Sequence, residues 1–470
     1  MVFSDLFFIY GFMTIVLILY FLCRTITQKN IIVVIMSLLF YAWGEPTYVW
    51  LLILSTTINY FCGLAIDKFR DKTPSKVVLT FSILLNLGFL GVFKYSGFVI
   101  ENLNSWFGLG LSVPDVDLPI GISFYTFQII SYIVDCYWEN IKVQKNYLKF
   151  LMYVSMFPQL VAGPIVRYSV IEKEIDKRST TLNDISDGLI RFSIGLGKKV
   201  IIANNLSSIV DTFFSNGGIE YCSTVASWYA VVCYAMQVYF DFSGYSDMAI
   251  GLGKILGFHF DENFKHPFLC RDITEFWQRW HISLGSFFRD YLLYLPIFGR
   301  RNQYFNLFLV WFSTGLWHGA SWNYIIWGLY FGVFILIEKK IGKKKLKKVP
   351  SIIMHIYNKL VIIIGFGIFY FENINELGIF FKSLVGLNGI GLIDSEFKVT
   401  FMNNLFLFIG AIVLTFPIFE PIQKLANSKT SRGKVFVGNL LQTAICLSMF
   451  LFSSILLVDA TNNPFLYFKF

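Results

Sequence analysis

Apolar runs separated by short polar loops extend along almost the whole chain. Their approximate positions are 6–22, 31–43, 46–66, 79–99, 118–137, 148–163, 185–209, 224–240, 303–317, 322–338, 352–371, 402–419 and 436–458. A helix that crosses a bilayer needs ~20 apolar residues, so the pattern predicts about a dozen membrane segments. We expect the shorter runs to be re-entrant or half-crossing, and such segments are tolerated only where protein or a cavity covers them. The pattern therefore predicts an all-α polytopic membrane protein that encloses a chamber.

The composition agrees with lipid, rather than water, as the solvent. Of the 470 residues, 56% are hydrophobic and 15% are charged, and the mean hydropathy is +0.61. Soluble domains carry about a quarter charged residues because their surfaces are hydrated. No polar stretch is long enough for a separate soluble domain, so we expect a single integral-membrane domain over residues 1–470.

Basic loops predict the orientation in the membrane. They contain Lys68, Arg70, Lys72 and Lys76; Lys142, Lys145 and Lys149; the lysines of 339–348; and Lys424, Lys429, Arg432 and Lys434. Such loops stay in the cytoplasm, and counting spans from them places both termini outside it. The first run has no Lys or Arg before Arg24, so we interpret it as a retained membrane helix rather than a signal peptide.

The net charge of +9 is then explained by the basic cytoplasmic loops and does not indicate a nucleic-acid partner. Binding of anionic lipid by the lysines of 339–348 is the alternative interpretation of that run.

Several common kinds of site are not supported. The seven cysteines form no CxxC pair and no zinc spacing, so we interpret them as small buried hydrophobes and expect no metal site. There is no HExxH, GxSxG, GxxxxGK[ST] or complete GxGxxG motif. No internal repeat is evident that would favour an inverted-repeat transporter.

Polar residues first enter apolar sequence between about residues 237 and 251. Asp241 and Asp247 lie there on either side of Gly244. Ionisable groups at membrane depth are costly unless they have partners. We interpret the two aspartates as structural polar residues, a hydrogen-bonded pair that fixes a helix break at Gly244, rather than as a direct acid and base.

A second polar stretch covers residues 267–291. Asp272 or Thr274 is predicted to cap a helix, on which two faces are expected. One face would carry Trp277, His281, Leu284 and Phe288, and the other Gln278, Ser286 and Arg289. These faces suit an amphipathic helix at the membrane boundary. His281 is either functional or a packed core histidine, and the spacing alone does not decide between them.

The third polar stretch, residues 313–323, places His318 between Gly315 and Gly319 in an apolar run. These glycines, like Gly328 and Gly332, form a GxxxG spacing that close helix packing explains. Packing does not explain the histidine. A neutral imidazole in apolar surroundings is a competent general base near neutral pH.

At these residues the chain resembles the membrane-bound O-acyltransferase family, and within it the bacterial alginate O-acetyltransferase branch. The most specific segments are Arg279–Leu284 (RWHISL) and Gly315–Gly319 (GLWHG). The resemblance extends from Leu118–Phe124 (LPIGISF) to Asn463–Phe468 (NPFLYF). It implies a bundle of about 11–13 transmembrane and re-entrant helices around a central tunnel, with a catalytic core at about 118–338.

The same resemblance implies which residues form the site. His318 takes the position of the family's catalytic histidine, and His281 takes the second, Asn-or-His position. Phe331 stands where many relatives are expected to have a further histidine, so a third imidazole is not expected here. The related D-alanyl transferase branch shares both histidine motifs, but the segment Val161–Tyr168 (VAGPIVRY) favours the acetyl branch.

We therefore expect an enzyme that moves an acetyl or other short acyl group from a cytoplasmic thioester, such as acetyl-CoA or an acyl carrier. The acceptor would be an extracytoplasmic polysaccharide, reached directly or through a partner transferase, and no bound cofactor is expected. His318 would be the general base, and His281 would position the donor or stabilise the oxyanion. The candidate residues for binding donor or substrate are Trp277, Arg279, Trp280, Arg289 and Trp317.

Arg279 and Arg289 are candidates for the donor phosphates, with a purely topological role as the alternative. D-alanyl transfer to teichoic acid, a transporter and a non-catalytic scaffold are the alternative functions.

Overall fold

A computed structural model describes residues 2–161, 163–295, 302–426 and 432–458, and every regular element in these ranges is helical. Ala162, Lys429 and the segment Asn463–Phe468, which entered the predictions above, lie outside the described residues. The all-α prediction is confirmed.

The first twelve α-helices are α1 (Met13–Leu22), α2 (Ile26–Gly44), α3 (Val49–Lys68), α4 (Thr73–Leu90), α5 (Ser96–Phe107), α6 (Ile122–Tyr137), α7 (Tyr147–Ser155), α8 (Phe157–Leu160), α9 (Tyr168–Asp176), α10 (Leu182–Gly197), α11 (Asn204–Phe214) and α12 (Thr224–Ile255). The others are α13 (Ile273–Arg279), α14 (Ile282–Phe288), α15 (Gln303–His318), α16 (Trp322–Ile341), α17 (Lys343–Leu346), α18 (Ser351–Tyr370), α19 (Ile374–Leu384), α20 (Ser395–Asn403), α21 (Leu405–Leu414), α22 (Glu420–Ala426) and α23 (Arg432–Val458). Wider π-helical turns occur at Phe7–Phe12, Gly91–Tyr95, Lys198–Ala203 and Arg289–Leu293, and 3₁₀ turns at Ser215–Tyr221 and Pro267–Leu269.

Five of the described helices are long and apolar enough to cross a bilayer. They span Ile26–Gly44, Val49–Lys68, Thr73–Phe107, Ser351–Tyr370 and Gly433–Val458. A sixth span results if α20 and α21, which are bent by 63° relative to each other, count as one crossing. The chain is thus a multi-pass membrane protein, whereas the count of about 11–13 transmembrane and re-entrant helices stays a prediction. The first apolar run is helical but shorter than these spans.

The described chain forms two compact units. The first contains residues of 1–192 and 246–262, and the second contains residues of 193–245 and 263–470. Residues 118–338, the predicted catalytic core, contribute to both units, and the single-domain organisation stays a prediction.

Polar side chains join α3 and α4 within the first unit. Asn59 and Asn86 are fully buried, and the Asn86 amide donates to Oδ1 of Asn59 at 2.9 Å. Ser82 also donates to that oxygen, at 2.6 Å. Amide and hydroxyl groups hold membrane helices together in this way because lipid offers them no other partner.

A close helical hairpin dominates the second unit. Helices α15 and α16 are joined by only Gly319–Ser321, and their axes approach closely at glycines. A Cβ atom on Gly328 would collide with the carbonyl oxygen of Trp311, and one on Gly315 with the carbonyl oxygen of Tyr324. The interpretation of these glycines as packing residues is confirmed.

Helix α13 is fixed at its N-terminus by two carboxylates. Asp272 is its N-cap and accepts from the Glu275 N–H at 2.7 Å. The buried Glu338 of α16 accepts from the backbone N–H groups of Ile273 and Thr274, both at 2.8 Å. The prediction that Asp272 or Thr274 caps this helix is therefore correct for Asp272.

Two local predictions are wrong. The amphipathic helix expected over Trp277–Phe288 is interrupted after Arg279, because His281 adopts the left-handed conformation with φ +46°. The two faces proposed for that helix consequently do not exist. Conversely, α12 continues through Gly244 without the expected break.

Candidate active site

His318 is the last residue of α15 and is buried, with 8% of its surface exposed. Three aromatic rings surround its imidazole edge-on. Their centroids lie 5.0 Å (Trp317), 4.8 Å (Trp327) and 5.2 Å (Phe369) from the imidazole centroid. The helix ends here because Gly319 is fully extended, with φ −173° and ψ 161°. The ring is therefore placed at a helix end and held by the packing of aromatic side chains.

A chamber of about 540 Å³, its open mouth included, lies beside His318 within the second unit. Its lining residues are Val238, Asp241, Phe242, Phe276, Trp277, Trp280, His318, Trp327, Phe331, Phe366 and Phe369. Eight of the eleven are Phe or Trp. A concave, mostly apolar space with a few polar groups is the usual form of a small-molecule site.

Asp241 brings a charge to the wall of the chamber and is paired. Its Oδ1 lies 2.7 Å from Nζ of Lys199, which belongs to the π-helical turn Lys198–Ala203. Both side chains are almost fully buried, with 4% and 3% exposed. A buried charge needs such a partner, because its desolvation otherwise costs ~5 kcal/mol.

Asp247 is not part of the chamber. It belongs to the first unit, where its carboxylate receives two hydrogen bonds from Arg191, at 2.8 and 3.0 Å. The Arg191 guanidinium also binds Glu262. The two aspartates thus have separate cationic partners and do not form the predicted pair with each other.

His281 lies between α13 and α14 and is 1% exposed. Its Nδ1 is 3.2 Å from Oδ1 of Asn263. Its ring meets Phe242 edge-on at 4.6 Å and Trp317 at 5.6 Å. Burial lowers the pKa of His281 to about 3, so that its imidazole is neutral at physiological pH.

The two histidines are connected through Trp317, whose indole contacts both imidazoles. His318 lines the chamber, and His281 contacts the chamber-lining ring of Phe242. The arrangement brings together the two histidines, three of the predicted binding residues (Trp277, Trp280 and Trp317) and Asp241.

Comparison with known proteins agrees with this geometry. Residues 137–374 match the family model of the membrane-bound O-acyltransferases. A probable alginate O-acetylase of Pseudomonas putida is 36% identical over the full length of both chains. The chain belongs to the membrane-bound O-acyltransferase family. It is accordingly a membrane-embedded O-acyltransferase.

Two further relatives are named for other acceptors, peptidoglycan and teichoic acid. A peptidoglycan O-acetyltransferase of Helicobacter pylori is 33% identical over 83% of this acyltransferase and 81% of the relative. A teichoic acid D-alanyltransferase of Bacillus subtilis is 31% identical, but over 49% of this chain and 62% of the relative. The resemblance to the acetyl-transferring relatives thus covers more of the acyltransferase.

Trp277 is the chamber residue with the clearest unused hydrogen-bonding capacity. Its ring packs against Trp311, Trp327 and Phe331 at 4.9, 5.5 and 5.0 Å. Its Nε1 is shielded from solvent, and no acceptor among the described residues binds it. An N–H group left without a partner costs about 1–3 kcal/mol, and an acceptor atom of a bound substrate would remove that cost.

Arg279 and Arg289 lie outside the set of residues that line the chamber of the acyltransferase. Arg279 forms an ion pair with Glu275 at 2.6 Å, and Arg289 one with Asp290 at 2.7 Å. Their side chains are 35% and 55% exposed. A donor phosphate would have to compete with these carboxylates, and the assignment of both arginines to phosphates stays a prediction.

Sequence reasoning missed two contributors to the site. Asn263 and Lys199 stand in no recognisable motif, and only their contacts with His281 and Asp241 reveal them. Phe331 was noted as a departure from the expected family pattern, and it proves to line the chamber. In the described part of the chain, no group of three His, Cys, Asp or Glu side chains could hold a metal ion.

Proposed function

We propose that this acyltransferase moves an acetyl or other short acyl group from a cytoplasmic thioester for the O-acetylation of an extracytoplasmic polysaccharide. The main support is His318 at the wall of an aromatic chamber of about 540 Å³. The names of the relatives from P. putida and H. pylori support acetyl as the group and a polysaccharide as the acceptor.

In the proposed reaction, His318 is the general base. Its imidazole takes the proton of the acceptor hydroxyl as that oxygen attacks the thioester carbonyl carbon. The tetrahedral intermediate then collapses, the C–S bond breaks, and the thiolate leaves. The proton held by His318 is returned to the thiolate, so that the products are an O-acyl ester and a free thiol.

The negative charge of the intermediate needs a hydrogen-bond donor. Trp277 provides one in the chamber wall, because its buried Nε1–H has no acceptor among the described residues. Such a donor is most effective in a site that excludes water, where its interaction with the developing charge is not screened. We therefore assign the oxyanion contact to Trp277.

The donor is a thioester such as acetyl-CoA or an acyl carrier, which enters from the cytoplasm. Transfer to the polymer occurs directly or through a separate extracytoplasmic transferase. Trp280 lines the chamber beside Trp277, and Trp317 separates the two histidines. We propose that these two indoles hold the acyl end of the donor by apolar contact, Trp280 in the chamber wall and Trp317 next to the imidazole of His318.

Mass analysis of the envelope polymers tests the acyl group and the acceptor. Cells that express the wild type, cells that lack the protein, and cells that express His318→Gln are compared. We expect O-acetyl esters on polysaccharide in the first strain alone. A loss confined to D-alanine esters would instead assign the chain to D-alanyl transfer, and unchanged esters in all three strains would contradict an acyltransferase role in the envelope.

The proposed orientation places the basic loops in the cytoplasm and both termini outside it. Single cysteines introduced at Lys72, Lys145, Lys344 and Arg432 should react with a membrane-impermeant reagent only after the membrane is opened. Labelling of any one of them in intact cells would contradict this topology.

A further inference from the structure

The backbone break at His281 is stabilised by a residue from another part of the chain. Asn263 is fully buried, and its backbone carbonyl oxygen accepts from the Ile282 N–H at 2.9 Å. Its side-chain Oδ1 accepts from the Ser283 N–H at 3.1 Å and from the Ser283 hydroxyl at 2.9 Å. The first two N–H groups of α14 are thus satisfied by Asn263, because His281 at the N-cap makes no side-chain cap.

These contacts also determine which atom of the Asn263 amide faces His281. A backbone N–H can only donate, so the amide atom that meets the Ser283 N–H must be the oxygen. Nδ1 of His281 lies 3.2 Å from that same oxygen. A hydrogen bond between them therefore requires the proton to be on Nδ1.

The Ser283 hydroxyl leads to the same conclusion. Its single proton is used in the 2.9 Å bond to Asn263, so toward the imidazole its oxygen can only accept. Its distance of 3.5 Å from Nδ1 of His281 fits a weak second acceptor for the same proton. Both of these polar groups beside Nδ1 are thus acceptors.

We propose that Asn263 is a positioning residue that holds His281 in the Nδ1–H tautomer, so that Nε2 carries the lone pair and acts as a hydrogen-bond acceptor. The structural part of this proposal is independent of the reaction, whereas its consequence for turnover rests on the proposed function. The histidine would then offer an acceptor to any substrate hydroxyl or thiol that reaches Nε2. It could not donate to the oxyanion, which leaves that contact to Trp277.

The surroundings of His281 keep the imidazole neutral. Its ring packs against Phe242, Phe264 and Trp317, its Nδ1 faces Asn263 and Ser283, and these five side chains carry no charge. A neutral ring has one N–H, and Asn263 determines on which nitrogen it lies. In proteins the partner of one ring nitrogen commonly fixes the function of the other.

Nitrogen NMR of the full-length protein labelled with ¹⁵N-histidine tests the tautomer directly. The His281 signals are assigned as those absent from His281→Gln. At pH 7.5 we expect a protonated Nδ1 and an unprotonated Nε2. A protonated Nε2 in the wild type would overturn the proposal, whatever the protein's activity.

Asn263→Asp is the conservative variant, because it retains the acceptor oxygens and replaces only the amide NH₂. Its tautomer should remain Nδ1–H, but the new carboxylate should raise the pKa of His281 by about one to three units. Acyl transfer should then be lost as the pH falls through the new value, because a doubly protonated ring has no acceptor. If Asn263→Asp lowered the rate but changed neither the pKa of His281 nor the pH profile of acyl transfer, the role of Asn263 would be merely structural.

Ser283→Ala is the matched control within the same network. It removes the hydroxyl but keeps the Ser283 N–H that orients Asn263, so the tautomer and the pH profile should stay those of the wild type. If Ser283→Ala moved the proton to Nε2, the hydroxyl rather than Asn263 would set the tautomer. The wild type and Ser283→Ala could both show the Nδ1–H tautomer and yet transfer acyl groups to no acceptor. In that case the proposed function fails while the role of Asn263 stands.

Discussion

His318 and His281 lie in the same unit and share an aromatic neighbour, but the position of His281 in the backbone and its bond to Asn263 set it apart. The ring of His318 packs edge-on against Trp317, Trp327 and Phe369 at the end of a continuous helix. The ring of His281 sits in a helix break and is bound through Nδ1 to Asn263. Both side chains are buried, so burial alone does not distinguish their roles.

The comparison separates two ways of preparing an imidazole for chemistry. Aromatic packing fixes where the His318 ring lies, and in the proposed reaction the imidazole acts as a base on the substrate. A hydrogen bond fixes which nitrogen of His281 carries the proton, in addition to its position. We therefore expect changes at His318 to remove the reaction, and changes around His281 to alter its pH dependence and geometry.

The largest effect is expected from His318→Ala. Loss of a general base typically costs about 10²–10⁴ in rate, so transfer by the purified protein should be barely detectable. His318→Gln, which preserves polarity and approximate size without a base near pH 7, should be as inactive. Near-native transfer by His318→Ala would contradict the assignment of the general base to His318. His281 would then become the leading candidate for the base.

His355→Gln is a suitable control for that experiment. His355 lies on α18 and is not among the chamber-lining residues, so its replacement should leave turnover unchanged. Thermal melting of all variants in the same detergent should show that the His318 variants are inserted and folded.

A large loss of stability is expected when the ion pair in the chamber wall is broken. Lys199→Met leaves the buried carboxylate of Asp241 without its cation, which typically costs about 3–5 kcal/mol. The double variant Lys199→Met with Asp241→Asn removes both charges and should recover much of that loss. Equal melting temperatures for the single and double variants would show that the pair is not coupled.

Trp277→Phe should reduce turnover by about 10², the typical cost of one oxyanion donor, while keeping the aromatic packing with Trp311 and Phe331. The reduction should appear in kcat rather than in KM for the donor. A change confined to KM would indicate that the indole only binds the acyl group.

The smallest effect concerns the pH dependence of stability. His281 has a pKa of about 3 when folded and an ordinary value near 6.5 when unfolded, so the unfolded state binds more protons below pH 6.5. Its contribution is therefore fully present above pH 6.5 and is lost as the pH falls, by about 2 kcal/mol at pH 5. The wild type should lose more stability than His281→Gln between pH 7.5 and pH 5, and parallel curves would contradict a buried neutral ring.

Much of this site could be inferred from the sequence, because its strongest signals are local. A histidine between glycines in an apolar run is recognisable by itself, whereas the histidine after Arg279-Trp280 is recognisable only through the resemblance to the family. The chamber was also expected in outline, since short apolar runs need protein or a cavity around them. The residues that complete the wall, such as Phe366 and Phe369, have no distinguishing pattern on an apolar helix.

The wrong predictions have a common physical cause, which is a partner distant in sequence. Residues 277–288 have helical spacing, and the interruption at His281 is possible because Asn263 satisfies the N–H groups of the next helix. Asp241 and Asp247 were expected to interrupt α12. The helix remains continuous because Lys199 and Arg191, which stand more than forty residues earlier, neutralise the two carboxylates.

The close hairpin of α15 and α16 restricts how this enzyme can change during evolution. With Gly315 and Gly328 in contact with the opposing backbone, a side chain at either position would push the helices apart and displace His318. Selection for a larger or smaller acyl group should therefore leave this pair intact. The adaptable positions are on the other walls of the chamber, at Val238 of α12 and Phe366 of α18, where a change of size alters the space without moving the base.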